Sequence, residues 1–124
     1  MTCSMEGTLS IGSRGEKAAK EYLRKAGFRI LAQNWRSGRY ELDLIACKGD
    51  TLHFVEVKSR KAGSLTTPED ALTREKFNAL CIAAQAYLEA NPWDGELQFD
   101  LAAVEITSSE CRVRYIPNAM MVRW

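Results

Sequence analysis

The chain has 124 residues, of which 46% are hydrophobic and 27% charged, with a formal net charge of +1. That size suits a single domain, 1–124, with one core, and the composition is ordinary for a soluble globular protein. No apolar run reaches membrane-spanning length, and the opening MTCSMEGT lacks the basic and apolar segments of a signal peptide, so a cytoplasmic protein with no membrane contact is expected.

The small net charge hides an asymmetry. Residues 1–62 hold 12 Lys/Arg against 7 Asp/Glu, net +5, and residues 63–124 hold 5 against 9, net −4. A basic half fits an anionic partner, although many such runs are only solvated faces. The four cysteines, Cys3, Cys47, Cys81 and Cys111, are scattered and form no C-x-x-C pair. With His53 as the one histidine, they argue against a zinc site and for buried thiols.

In chain order, residues 1–8 read as a loose tail. Ser13-Arg14-Gly15-Glu16 fits a capping box with Ser13 as N-cap, predicting a helix from about Arg14 to Ala26 that stops at Gly27. Glu16 shares a stripe with Ala19, Leu23 and Ala26, so it either caps the helix or reaches inward. Phe28–Trp35 reads as a first strand. Two alternating runs then flank Gly49-Asp50, which predicts a hairpin with a type II′ turn. The polar stretch from Ser59 to Pro68 lacks periodicity and reads as a mobile loop. Thr67-Pro68 opens a helical turn, and Thr73 is a possible cap for a helix carrying Phe77, Leu80, Cys81, Ala84, Tyr87 and Leu88. Leu97–Ile106 and Cys111–Ile116 read as a closing strand pair, with Arg112 and Arg114 on one face of the second. There is no internal repeat, linker or Gly-rich phosphate loop. The order α-β-β-β-α-β-β predicts a mixed five-stranded sheet flanked by helices, α/β bordering on α+β.

The hairpin carries the chemistry. If Gly49 and Asp50 form its loop, Lys48 faces Thr51, Asp43 faces Glu56, and Glu41 faces Lys58. Strand alternation then puts Glu41, Asp43, Glu56 and Lys58 on one face, with Leu42, Leu44, Val55 and Val57 on the other, against a helix. His53 has the opposite parity to Glu56 and reads as structural. Opposed carboxylates repel unless a cation lies between them, and a hard divalent ion would serve. Spacing leaves two readings open: such a site, or a solvated face on which Glu41 and Lys58 form an ordinary cross-strand ion pair. Lys76 and Gln85 lie off the apolar stripe of their helix, exposed or in contact with a substrate.

The motifs Gly15-Glu16-x-x-Ala19, Asn34-x-Arg36, Glu41-Leu42-Asp43-Leu44-Ile45 and Phe54-Val55-Glu56-Val57-Lys58-x-Arg60, with Lys76 and Phe99-Asp100 beyond them, resemble the YraN family. That bacterial family of undetermined function has a fold similar to the PD-(D/E)XK nucleases and Holliday-junction resolvases. One departure is Tyr40, which stands where the family usually has Gly and could crowd an entry to the site. The resemblance implies a restriction-endonuclease-like core and a metal-dependent endonuclease, with a non-catalytic nucleic-acid binder as the alternative. Asp43, Glu56 and the Val57 carbonyl would hold Mg²⁺ or Mn²⁺, with Lys58 and Glu16 catalytic and Glu41 in support. Lys17, Lys20, Arg60, Lys61 and Lys76 are the candidate contacts to nucleic acid, expected to be DNA, and junction-resolving relatives suggest a homodimer.

Overall fold

A computed structural model describes residues 10–64 and 72–119. The expected tail at 1–8 and the helical turn at Thr67-Pro68 lie outside the described residues. The observed order is α1 (Ile11–Lys25), β1 (Arg29–Ser37), β2 (Tyr40–Lys48), β3 (Thr51–Lys61), α2 (Arg74–Ala90), β4 (Glu96–Ile106) and β5 (Cys111–Ile116). The strands form one mixed sheet in the order β1-β2-β3-β4-β5, antiparallel except for the parallel β3–β4 pair. The molecule is an α+β fold.

α1 begins earlier than its sequence suggests. Ser10, not Ser13, is the N-cap, and its hydroxyl accepts from the Ser13 N–H at 3.1 Å. Glu16 therefore lies beyond the first turn and has no capping role. The helix ends as its sequence predicts. Gly27 has a φ of +95°, and Phe28 N–H donates to the Leu23 carbonyl at 2.9 Å, closing a Schellman motif. The buried stripe is Gly15, Ala19 and Leu23. Gly15 is there because α1 crosses β3 closely: a Cβ at this position would stand 1.7 Å from the Ser59 hydroxyl oxygen.

The β1–β2 and β2–β3 hairpins turn on glycine. Gly38 and Gly49 have φ of +60° and +62°, and neither Arg39 nor Asp50 has positive φ, the pattern of type II′ turns. The β2–β3 register is the expected one, from Lys48–Thr51 to Leu44–Val55. Past that point β2 pairs only with β1, and β3 only with β4. β3 runs on through Ser59, Arg60 and Lys61, opposite Val104, Glu105 and Ile106 of β4. The expected loop after Lys58 thus begins three residues later, because a parallel partner distant in sequence completes the ladder.

The two-faced sheet expected from alternation is also corrected. Both faces are covered, as the near-continuous apolar run of β2 requires. Leu44, Ala46, Val55, Ala102 and Val104 pack with Ala19 and Leu23 of α1. Leu42, Ile45, Leu52 and Phe54 pack with Leu80, Ala83, Ala84 and Tyr87 of α2. Leu42 and Leu44 thus lie on opposite faces, and the cause is in β1. Asn34 has a φ of +50°, a left-handed conformation that asparagine tolerates better than most residues. On one side of it Gln33 meets Lys20 of α1; on the other, Trp35 packs edge-on to Tyr87 of α2. The paired residues of β2 change face with them, and Asp43 sits at the change. Tyr40 is half-buried, packing at the edge of the α2-side core with the Arg39 guanidinium over its ring.

Cys47, Cys81 and Cys111 are half-buried free thiols, less enclosed than expected. His53 has the parity foreseen, opposite to Glu56. It is buried on the α1 side, its Nδ1 2.7 Å from Asp100 Oδ2. No described helix is long and apolar enough to cross a membrane.

Candidate functional site

Where β2 and β3 part, backbone groups lose their ladder partners. Asp43 takes one of them: its Oδ2 accepts from Val57 N–H at 2.9 Å. This bond turns the Asp43 carboxylate toward β3, within hydrogen-bonding reach of Glu56. Glu56 is only 4% exposed and lies on the α2 side with Phe54. Its counter-ion comes from α2. The Thr73 hydroxyl caps that helix by accepting from Lys76 N–H at 3.1 Å, and the Lys76 ammonium reaches Glu56 Oε2 at 3.1 Å. Glu56 is nevertheless pushed up to about 7. Burial contributes most and the Asp43 charge next, with Lys76 pulling only partly the other way.

Glu16 approaches from α1. Burial raises its carboxyl above the usual range, the charges of Asp43 and Glu41 raise it further, and a hydrogen bond from Asn34 opposes them. Asp43 thus stands between two acidic neighbours, Glu56 on the α2 side and Glu16 on the α1 side, with Glu41 near Glu16. Glu41 does not share a face with Glu56, nor does it face Lys58. It pairs with Arg36 of β1 at 3.5 Å, because the face change at Asn34 and Asp43 turns it to the α1 side. Lys58 follows Glu56 by two strand positions and so shares its face. It is half-buried, and no partner for its side chain is found among the described residues.

The expected nucleic-acid contacts do not form one surface. Lys20 is bonded to Gln33 on the β1 side of α1, at 2.7 Å. Lys17 lines an open cleft of about 490 Å³ with Arg14, Lys25 and Val113. Arg60 and Lys61 end β3 and border a different cleft. Lys76 belongs to the carboxylate cluster. Two residues and one contact were not assigned from sequence. Asn34 both makes the face change and bonds Glu16, and its signal was the Asn34-x-Arg36 motif. Gly15 admits α1 close to β3, signalled by a glycine inside a helical pattern. Asp43 uses the Val57 N–H, which no sequence pattern reveals.

Among the described residues, no group of three or more His, Cys, Asp and Glu side chains has the arrangement of a metal site. The pair Asp43 and Glu56 does suit a hard divalent cation held by two carboxylates and water. Burial and the Asp43 charge push Glu56 up to about 7 even with Lys76 in contact.

Fold and site together define an α+β domain whose central strands part beside the neighbouring carboxylates of Asp43 and Glu56, with Lys76 in contact with Glu56. A family model matches residues 15–104 and is described as "Uncharacterised protein family UPF0102". The chain belongs to this family, UPF0102, also known as the YraN family. A UPF0102 protein of Nitratidesulfovibrio vulgaris (strain DP4) is 46% identical over 109 residues, covering 87% of this chain and 81% of its own. One of Syntrophus aciditrophicus is 38% identical over 120 residues, covering 96% and 94%. One of Syntrophomonas wolfei is 37% identical over 110 residues, covering 88% and 96%.

Proposed function

We propose that the protein is a metal-dependent nuclease that hydrolyses phosphodiester bonds in DNA, branched or duplex. The observation that carries this reading is the buried Glu56 carboxyl held beside Asp43 at the point where the strands part. Asp43, Glu56 and the Val57 carbonyl would hold Mg²⁺ or Mn²⁺. A cation bound there supplies Lewis-acid polarisation of a phosphoryl oxygen and a more acidic water. Lys58, on the face of Glu56, orients the attacking water and offers its ammonium to the charge that grows on phosphate oxygens. Glu16 adds negative charge from α1, and Lys76 favours the ionised form of Glu56 without outweighing burial and Asp43. Acting on DNA, the protein would work in the cytoplasm, and a branched substrate would suit a homodimer.

One observation favours a second reading. Lys76 already contacts Glu56, so a fold that binds phosphates without cutting them could keep its carboxylates without a metal. Incubation with duplex, branched and single-stranded DNA, with and without Mn²⁺, separates the two. Metal-dependent cleavage that disappears in Lys58→Ala and Asp43→Ala is expected. DNA binding without cleavage under any of these conditions would turn the reading to the binder.

A further inference from the structure

The face that carries Glu56 continues beyond α2. That helix packs on β1 and β2, reaching β4 through Phe77 against Phe99, ring centroids 5.4 Å apart. Toward the C-terminal ends of β3 and β4 the same face changes from apolar to cationic. Register sets Lys58, Ala103 and Arg114 in one cross-strand row and Arg60, Glu105 and Arg112 in the next. Alternation puts both rows on the Glu56 face. Neighbouring strands lie about 4.8 Å apart, and two residues along a strand span about 6.6 Å, so the four cations mark the corners of a rectangle roughly 10 Å by 7 Å. The first row lies one step from Glu56.

Between the corners lies a cleft of about 450 Å³, lined by Arg60, Lys61, Ala103, Glu105, Arg112 and Arg114 among others. The small Ala103 leaves space between Lys58 and Arg114. Glu105 is the one acidic residue in the two rows, and Glu110 sits beside Arg112 at 3.5 Å, leaving the Arg112 side chain 74% exposed. Among the described residues, none that lines the cleft is aromatic. Proteins that grip single strands stack bases on aromatic rings, whereas a duplex presents phosphates, which arginine recognises.

We propose that this cationic face of β3, β4 and β5 is the docking surface for the phosphate backbone of double-stranded DNA, with Arg112 and Arg114 as its outer contacts. This rests on the nuclease reading, since the rows lead the backbone toward Lys58 and Glu56. It also sets aside Lys17 and Lys25, which lie on the α1 side of the sheet.

The test is the binding of a fluorescently labelled DNA duplex by the full chain, followed over a salt series with chelator present so that nothing is cut. Each phosphate contact contributes about 0.9 to the slope of log affinity against log salt. The variant R112Q/R114Q should lower that slope by about 1.8, each single variant by about half as much, and K17Q/K25Q should leave it unchanged. The singles serve if the double variant folds poorly. An unchanged slope in the arginine variants, an equal loss in K17Q/K25Q, tighter binding of the matching single strand, or no binding by the parent would each overturn the proposal. If the arginine changes instead bring self-association without altered DNA binding, the arginines only protect the edge strand, which also overturns it. The nuclease reading fails separately. Binding that depends on these arginines with no metal-dependent cleavage would sink that reading and leave the surface standing, while cleavage with an unaltered slope would do the reverse.

Discussion

Glu56 is a carboxyl that its own fold resists ionising. Its ordinary value of 4.5 rises to about 7 in the folded chain, through burial first and the neighbouring Asp43 charge second. Between those values the folded state holds a proton that the unfolded state has released. Stability from this group is therefore full below about 4.5 and is lost as pH climbs through about 7. Glu56→Gln removes the titration. In chelator, urea unfolding at pH 5 and pH 8 should show the variant gaining on the parent by on the order of 3 kcal/mol across that interval. A gap independent of pH would mean that Glu56 titrates like an exposed carboxylate.

Elements are held to one another at a few close contacts, and α1 on β3 is the tightest. Gly15→Ala would gain about 1 kcal/mol of helix propensity, yet the new Cβ meets Ser59 Oγ at 1.7 Å and Ser59 Cβ at 2.9 Å. Overpacking costs of about 1–3 kcal/mol should win, giving a net loss in denaturant unfolding. Ser59→Ala in the same chain should recover only part of it, since the Cβ contact remains. Full recovery, or a stabilised Gly15→Ala, would show that α1 shifts freely.

The elements themselves were legible in the sequence, because the apolar period of α2, the Gly49-Asp50 turn and the Thr73 cap are all local signals. The two-residue turn also brings Asp43 near Glu56, but the β2–β3 ladder ends at Leu44–Val55, so the two are neighbours beyond the ladder rather than a cross-strand pair. What escaped depends on distant partners. Ser59–Lys61 look like a loop because their ladder is supplied by β4, some forty-five residues on. The face change at Asn34 depends on one backbone angle, so strict alternation put Leu42 and Glu41 on the wrong sides, while Leu44 kept the face of Val55. The cap misplacement at Ser13 arose because Ser10 and Ser13 are both competent caps, and the helix took the earlier one.

At the scale of the whole molecule, the sheet is closed on its α1 side by a buried carboxylate with four donors. Asp100 is fully buried and receives His53 of β3, Gln98 of β4, the Tyr115 hydroxyl of β5 and the Asn118 backbone N–H. Burial and the Asp100 charge push the Tyr115 hydroxyl far up, so it stays a donor. Tyr115→Phe removes one bond to a charged group while the other three remain. The expected cost is about 1–3 kcal/mol in thermal or urea unfolding. A loss below a few tenths of that would mean the remaining donors re-satisfy Asp100.

The proposed metal site rests on one point of the sheet, the pairing of Asp43 with Glu56. Calorimetric titration of Mn²⁺ into the parent, Asp43→Asn and Glu16→Gln tests this most directly. In Asp43→Asn the amide oxygen of the new side chain can still accept the Val57 N–H, so the variant's melting temperature in chelator should stay near that of the parent. Mn²⁺ should bind the parent, with at least a tenfold loss, about 1.4 kcal/mol, in Asp43→Asn. A smaller loss is expected in Glu16→Gln, which removes a more distant negative charge. No heat with the parent, or equal affinity in Asp43→Asn, would contradict the pairing of these two carboxylates around a metal.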